Sequence, residues 1–342
     1  MPSRLGQMGR KLGEWIPPEV LRPLGRPSAV FFHGVEPDTA DPRVQVNHHE
    51  ADVFRAIALE LKTYFDVLPL SALEDALARP ERHRRTVFLM SDDGYANTLG
   101  VAAPILEDLG LPWTLFVSTE HIGTGLRNPA FLALLFYHYM PPGRYAVPHL
   151  PEQVLGGPET RDVLARTGIG ALKNLDMARG REAIDGIAWH LEGAGLSQLV
   201  EQFESEDFLD WTEVKALAGR GVEIGAHAHW HWPMNAAQTR AQLREQAQDS
   251  KARIEAEIGP CRAFAYPFGN TGDVCGEAWR AVRDAGYDFA FTTVSGALHG
   301  SANRFLLPRY GIGPSETHLA SLIPLLSAGN ARLSRWQRAL TA

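Results

Sequence analysis

Short apolar runs without alternation recur along the chain, and segments of helical periodicity separate them. Strands of a parallel sheet show such runs because helices bury both faces of the sheet. Helical periodicity is clearest at 52–65 and 71–78, and a predicted capping box, Asp210 to Glu213, precedes a further helix. The predicted strands are 29–32, 87–90, 113–117, 222–226, 263–266, 289–293 and 305–308. The pattern therefore predicts an α/β barrel.

The alternation of strands and helices is interrupted between about 120 and 210. Proline and glycine turns at 141–143 and 156–158 separate weakly amphipathic helices in this stretch, which predicts a helical insertion. Insertions at the carboxyl ends of barrel strands build substrate sites, so a lid or subsite wall is one interpretation. A helical buttress without substrate contact is the other. The expected organisation is an N-terminal extension (1–27), a barrel (28–325) and a C-terminal tail (326–342).

Charge and cysteine content narrow the class of protein. A formal charge of -7 argues against a nucleic-acid partner, since such surfaces carry a basic excess. Two cysteines and no recognisable secretory signal favour the cytoplasm. We expect no integral membrane segment, because the run at 131–140 is half of the roughly 20 residues needed. Residues 1–26 are basic and amphipathic. They could form a helix that contacts a membrane surface weakly, but we expect a short helix that packs across the bottom of the barrel.

Two adjacent aspartates, Asp92 and Asp93, follow the predicted strand at 87–90. Barrels present their functional groups at the carboxyl ends of strands. Carboxylates this close raise one another's pKa unless a cation neutralises them, so the pair indicates a metal site or a proton-handling role. A helix N-cap is the alternative.

Two histidines four residues apart, His227 and His231, follow the predicted strand at 222–226. A single helical turn would place both imidazoles on one face, with His229 pointing elsewhere. With Asp93 they would form a site of two histidines and one carboxylate that keeps open positions, which is typical of catalytic metals. The sequence therefore predicts a divalent-metal site, with zinc as the expected ion and another first-row ion as the alternative.

A third segment, Tyr266-Pro267-Phe268-Gly269, lies at the end of the predicted strand at 263–266. Proline and glycine at this spacing indicate a tight turn. The functional interpretation is a rigid turn whose backbone N–H groups face a developing oxyanion.

The order of these segments resembles that of the polysaccharide deacetylase (NodB-homology) family. SDDGY, PWTLFV, HxxxH and FAYPFG are similar to the family motifs T-F-D-D-G, A-T-F-F-V, H-[ST]-x-x-H and R-x-P-Y-G. The resemblance covers about 28–118 and 208–310. It implies a distorted (β/α)7 TIM-like barrel, here with a helical insertion, and a metal-dependent deacetylase.

The resemblance also assigns roles by position. Asp92 becomes the general base, and the N–H of Phe268 becomes an oxyanion donor beside the metal. The implied metal ligands are Asp93, His227 and His231. Ala265 stands where the family often has the arginine that steadies the base, and we expect Arg309 to replace it, with Arg304 as the other candidate.

The general acid is expected to be His33. It ends the apolar run AVFF, and this segment resembles the Y-H-x-[VI] strand of family members with permuted motif order, including poly-N-acetylglucosamine deacetylases. A histidine that only caps the strand is the alternative. His299, in a Gly-rich turn, is the competing acid.

Four residues are candidates for substrate contact: Tyr95, Trp230, Tyr266 and Pro267. Trp230 and Trp232 either stack on a sugar ring or pack the loop against the barrel. His48 and His49, at a predicted helix start, are interpreted as surface polar residues.

The function expected from these features is removal of an N-acetyl group from an amino sugar of a glycan or glycan precursor. An O-acetyl esterase or another amide hydrolase on the same site is the nearest alternative. A catalytically silent glycan-binding protein is the rival from another class, because fold does not fix function.

Overall fold

The computed structural model describes residues 26–300, 303–314, 316, 319, 336, 337, 339 and 340. The N-terminal helix expected within 1–26, apart from Arg26, and most of the C-terminal tail lie outside the described residues. The strands are β1 (Ser28–Phe32), β2 (Val35–Glu36), β3 (His49–Glu50), β4 (Asp66–Val67), β5 (Thr86–Ser91), β6 (Thr114–Val117), β7 (Gly143–Tyr145), β8 (Gln153–Leu155), β9 (Glu223–Ala226), β10 (Ala263–Ala265), β11 (Phe289–Phe291) and β12 (Tyr310–Gly311).

One curled parallel sheet runs in the order β11-β10-β9-β6-β5-β1-β12, and β4 pairs with β5 beside this path. Tyr310 of β12 pairs with Val30 of β1, while Leu307 forms a parallel bridge with Phe291 of β11. The segment 307–311 therefore contacts both edges of the curled sheet. This arrangement confirms the distorted α/β barrel that the apolar runs predict.

The prediction of a strand at 305–308 is wrong. Only Leu307 makes a bridge there, because 303–306 form a turn in which Leu306 N–H donates to Asn303 O, and Pro308 has no N–H to donate. The strand at this edge is β12, two residues further on.

The helices wrap the sheet and form the insertion. They are α1 (Ala51–Tyr64), α2 (Leu73–Ala78), α3 (Ala103–Leu109), α4 (Pro129–Tyr139), α5 (Pro158–Leu172), α6 (Met177–Gly193), α7 (Ser197–Gln202), α8 (Trp211–Gly219), α9 (Arg240–Glu257) and α10 (Gly276–Asp284). The predicted capping box of Asp210 and Glu213 is confirmed at the start of α8, where each side chain accepts from the other residue's backbone N–H. No helix of the described part is both long and apolar enough to cross a membrane.

Strand β5 shows why the apolar runs do not alternate. Val87 and Leu89 pack in the cluster beneath the surrounding helices, whereas Phe88 and Met90 pack in a second cluster inside the barrel. Both faces of the strand are therefore buried, and both select apolar side chains.

The insertion has a hydrophobic core of its own. Its helices pack around buried residues such as Phe136 and Ile187, and the loop after β9 contributes Trp230 and Trp232 to the same cluster. The two indoles stack with their centroids 4.6 Å apart, and the Arg181 guanidinium lies 4.3 Å from the Trp230 ring. These tryptophans join the insertion to the barrel.

Candidate active site

The candidate catalytic residues lie at the carboxyl ends of neighbouring parallel strands. β1 pairs in register with β5, so that Phe32 lies opposite Ser91. Phe32 O accepts a hydrogen bond from Asp92 N–H at 3.0 Å, and Ser91 Oγ donates to His33 O at 3.2 Å. The side chain at the end of β1 therefore lies beside the two aspartates at the end of β5.

Asp93, His227 and His231 form a compact group of potential metal ligands. Asp93 Oδ1 lies 3.2 Å from His227 Nε2 and 3.1 Å from His231 Nε2, and all three side chains are buried. His227 Nδ1 lies 2.8 Å from Ala265 O. Since a carbonyl can only accept, the Nδ1 must carry the proton, and the Nε2 lone pair faces Asp93. This donor set suits a divalent ion.

The two histidines are not on a helical turn, which corrects the geometry expected from their spacing. Residues 227–233 form a loop in which Ala228 has a φ of 63°. His227 N–H donates to Val117 O at 2.8 Å, and His229 Nδ1 pairs with Thr119 Oγ1 at 2.9 Å. These contacts hold the loop on β6, directing His227 and His231 to Asp93 and His229 away from it.

Positive φ values mark the site. Of the four described non-glycine residues with positive φ, Asp93 (77°), Ala228 (63°) and Phe268 (59°) belong to the three segments that meet here. Such conformations cost of the order of 1 kcal/mol or more each, and they persist where the surrounding structure enforces them.

Arg309 neutralises Asp92 in the barrel interior. Its Nη1 and Nη2 donate to the two oxygens of Asp92 at 2.7 and 2.8 Å, and the side chains are 0% and 2% exposed. Burial raises the pKa of Asp92, but Arg309, together with His227 and His33, outweighs burial and holds the pKa below its usual value. Arg304, the other candidate, lies at the surface against Glu74.

The turn after β10 presents an unpaired backbone N–H. Gly269 N–H donates to Pro267 O at 2.6 Å, and Thr293 Oγ1 donates to Phe268 O at 2.6 Å. Within the described part of the chain the N–H of Phe268 has no acceptor. The Phe268 ring lies 5.0 Å from that of His231, and Phe268 lines the same cavity as the candidate metal ligands.

A cavity of about 350 Å³ opens at this end of the barrel. The predicted residues that line it are His33, Asp92, Asp93, Tyr95, His227, His231 and Phe268. The insertion contributes Asn128, Ala130, Phe131, Leu134, Lys173 and Glu206 to its wall. The insertion is therefore part of the cavity wall and not merely a buttress.

Three of the four candidates for substrate contact do not line the cavity. Tyr266 is fully buried and donates its hydroxyl to Phe305 O at 3.0 Å. Trp230 packs in the core of the insertion, and Pro267 lies buried within its turn. Only Tyr95 lines the cavity, where it accepts a hydrogen bond from Asn128. Alternation along the β10 segment directs Tyr266 away from the site.

His33 and His299 lie at opposite ends of β1. His33 follows the carboxyl end of the strand and lines the cavity. Next to His299, Leu298 N–H donates to Pro27 O, immediately before the strand begins. Burial lowers the pKa of His33, against the opposing charges of Asp93 and Asp92.

His48 and His49 are buried, so their interpretation as surface residues is wrong. His49 Nε2 lies 3.2 Å from Ile312 O. His48 lies between the carboxylates of Glu36 and Glu206. Periodicity gave no indication of these contacts, because Glu206 is far away in the sequence and approaches only through the insertion.

A sequence model of the polysaccharide deacetylase family matches residues 79–290, which is more than half of the chain. The chain belongs to the polysaccharide deacetylase family. No curated protein sequence matches it.

Solved structures share the fold. The deacetylase PplD of Streptococcus pyogenes, in complex with acetate, superposes with a TM-score of 0.56 at 16% identity, covering 88% of this chain and 98% of that one. IcaB from Ammonifex degensii gives a TM-score of 0.55 at 15% identity, with 88% and 97% covered. BA0330 from Bacillus anthracis, a putative polysaccharide deacetylase, gives a TM-score of 0.53 at 13% identity, covering 88% of this chain and 69% of that one.

Proposed function

We propose that this polysaccharide deacetylase removes the N-acetyl group from an amino sugar of a glycan or glycan precursor. The observation that carries the proposal is the juxtaposition of two units in one cavity. One is the carboxylate Asp92, held by Arg309, and the other is the ligand set around Asp93. The family membership supports the same chemistry.

The donor set fits a divalent metal, and we propose zinc. Asp93 Oδ1 is buried without a hydrogen-bond partner among the described residues, and such an oxygen needs a cation or a donor. Two imidazole nitrogens and one carboxylate oxygen with open positions form a common catalytic zinc site. Lewis acidity towards the acetyl carbonyl and the attacking water is the chemistry that a divalent ion supplies at such ligands.

The residues of the chain divide the proton transfers between them. Asp92, kept ionised by Arg309, takes a proton from the attacking water. The unpaired N–H of Phe268 donates to the oxyanion that develops on the acetyl oxygen. His33, at the neighbouring strand end, protonates the leaving amine. Attack of the water oxygen forms the new C–O bond, and departure of the protonated amine breaks the C–N bond, leaving acetate.

Acetate release from a panel of N-acetylglucosamine oligosaccharides, with metal content measured by mass spectrometry, tests the proposal. Asp92→Asn and Asp93→Asn are matched neutral variants of neighbouring residues. We expect Asp92→Asn to keep the metal and lose turnover by about 10²- to 10⁴-fold, because it removes a base and no ligand. Asp93→Asn should lose metal.

Equal metal loss in both variants, or an active Asp92→Asn enzyme, would contradict the division of roles. The metal-loaded wild-type protein could release acetate from O-acetylated sugars but from no N-acetylated sugar. This result would refute amide hydrolysis as the reaction and favour ester hydrolysis. Retention of glycan binding without any acetate release would favour a silent binding protein.

A further inference from the structure

The cavity wall beside Tyr95 contains buried charges that the proposed deacetylation does not use. His48 lies between two carboxylates, with Nδ1 3.3 Å from Glu36 Oε1 and Nε2 3.1 Å from Glu206 Oε1. The side chains of His48 and Glu206 are 2% and 3% exposed, and both residues line the cavity. We call Glu36, His48 and Glu206 the acidic triad.

The triad is closely fitted into the fold. A Cβ atom at Gly34 would lie 2.3 Å from His48 Nδ1, so only glycine at that position leaves room for the ring. The Asn97 amide donates a hydrogen bond to Glu36. Glu206 comes from the insertion and Glu36 from β2, so the triad also connects the insertion to the barrel.

The triad lies next to the proposed reaction centre. The His48 ring centroid is 4.9 Å from that of Tyr95. Burial raises the pKa of Tyr95 well above its usual value, and the carboxylates of Asp93 and Glu206 raise it further. Tyr95 and His48 line the same cavity as Asp93 and Glu206.

The triad, which reaches the cavity wall through His48 and Glu206, carries a net negative charge. With a protonated imidazole between two carboxylates, the triad has a charge of -1, and a neutral imidazole would make the triad more negative. The other charged pair on the wall outside the catalytic group, Lys173 and Asp273, is neutral overall, with its Nζ and Oδ1 2.6 Å apart. The cavity therefore favours a cation over an anion beside Tyr95.

Glu206 has an oxygen left for a ligand. Its Oε1 faces His48, and the residue lines the cavity, where Oε2 makes no hydrogen bond to any of the described residues. A carboxylate oxygen that faces a cavity can accept from a ligand, and a charged donor makes a stronger bond than a hydroxyl.

We propose that Glu206 binds the ammonium group of an unacetylated glucosamine unit next to the unit whose acetamide is hydrolysed. This inference rests on the proposed function. The preferred substrate class is then a partly deacetylated amino-sugar chain, so that the enzyme acts beside its own product.

Calorimetric titration with glucosamine disaccharides, β-1,4 and β-1,6 linked and fully deacetylated, tests the ammonium site without catalysis. Glu206→Gln and Glu36→Gln remove the same charge from the triad, but Glu36 does not line the cavity. At a pH that keeps the amine protonated, we expect Glu206→Gln to weaken binding about tenfold or more, and Glu36→Gln by less than about threefold. Glu206→Asp, which keeps the charge, should retain binding if Glu206→Gln fails to fold.

The same variants are compared on singly and doubly acetylated disaccharides. The ratio of kcat/KM values should favour a singly acetylated isomer in the wild type and Glu36→Gln, and fall towards one in Glu206→Gln. Unchanged diamine binding in folded Glu206→Gln, or equal losses in both variants, would overturn the proposal. Glu206-dependent diamine binding without acetate release from any substrate would support the ammonium site and refute deacetylation.

Discussion

Replacement of Arg309 by methionine is the sharpest test of how the barrel keeps Asp92 ionised. Both side chains are almost fully buried, and two hydrogen bonds of 2.7 and 2.8 Å join them. Removing one partner of a buried ion pair leaves an uncompensated charge, which costs about 3–5 kcal/mol. We expect the free energy of unfolding of Arg309→Met to fall by this amount at neutral pH.

The pH dependence follows from the direction of the pKa shift. In the folded protein Arg309 holds the pKa of Asp92 below its ordinary value of 3.8. The pair therefore contributes stability above pH 3.8, and this contribution is lost as the pH falls through the folded pKa. Without Arg309 the largest charge that opposes burial is lost, so the pKa of Asp92 should rise. The acid limb of kcat/KM should then move to higher pH.

Urea unfolding at several pH values and a pH-rate profile provide the two measurements. Arg304→Met is the matched control, since Arg304 is 47% exposed against Glu74 and such pairs contribute about 0–1 kcal/mol. Arg309→Lys keeps the charge but loses the paired geometry, so it should fall between the two. If Arg309→Met unfolds within about 1 kcal/mol of the wild type and its acid limb stays in place, the reasoning is refuted.

Three further predictions concern histidines. His231→Ala should lose bound metal and activity, whereas His229→Ala should keep the metal because its imidazole pairs with a threonine hydroxyl; mass spectrometry of both proteins decides this. If His33 is the acid, the alkaline limb of kcat/KM in the wild type reports its pKa, which burial lowers below the ordinary imidazole value. His33→Ala should then lose this limb, and His299→Ala should keep it. The reverse result would assign the acid to His299. Burial lowers the pKa of His48, but two carboxylates outweigh burial and raise the pKa to about 9, so the protonated imidazole contributes its full stability below pH 6.5 and loses it as the pH rises through 9. The difference in free energy of unfolding between the wild type and His48→Gln should therefore shrink over this pH range. A constant difference would contradict the ion pairing.

The sequence alone determined the features that depend on neighbours along the chain. Strands β1, β5, β6, β10 and β11 are buried on both faces, so apolar runs located them, together with the partly buried β9, without knowledge of the partners. The sequence also indicated which polar residues follow directly after a strand, and the carboxyl ends of parallel strands lie at one rim of a barrel. Asp92, Asp93 and His227 were located in this way.

The tertiary structure decided the contacts between distant segments. Asp92 and Arg309 are 217 positions apart, and only the parallel segment beside β1 brings the guanidinium under the carboxylate in preference to Arg304. Glu206 reaches His48 through the fold of the insertion, which no local pattern encodes. Local periodicity reports only whether a side chain is buried. The packing of whole elements decides which partner a buried polar group finds, and here it made His48 part of the cavity wall and Tyr266 part of the core.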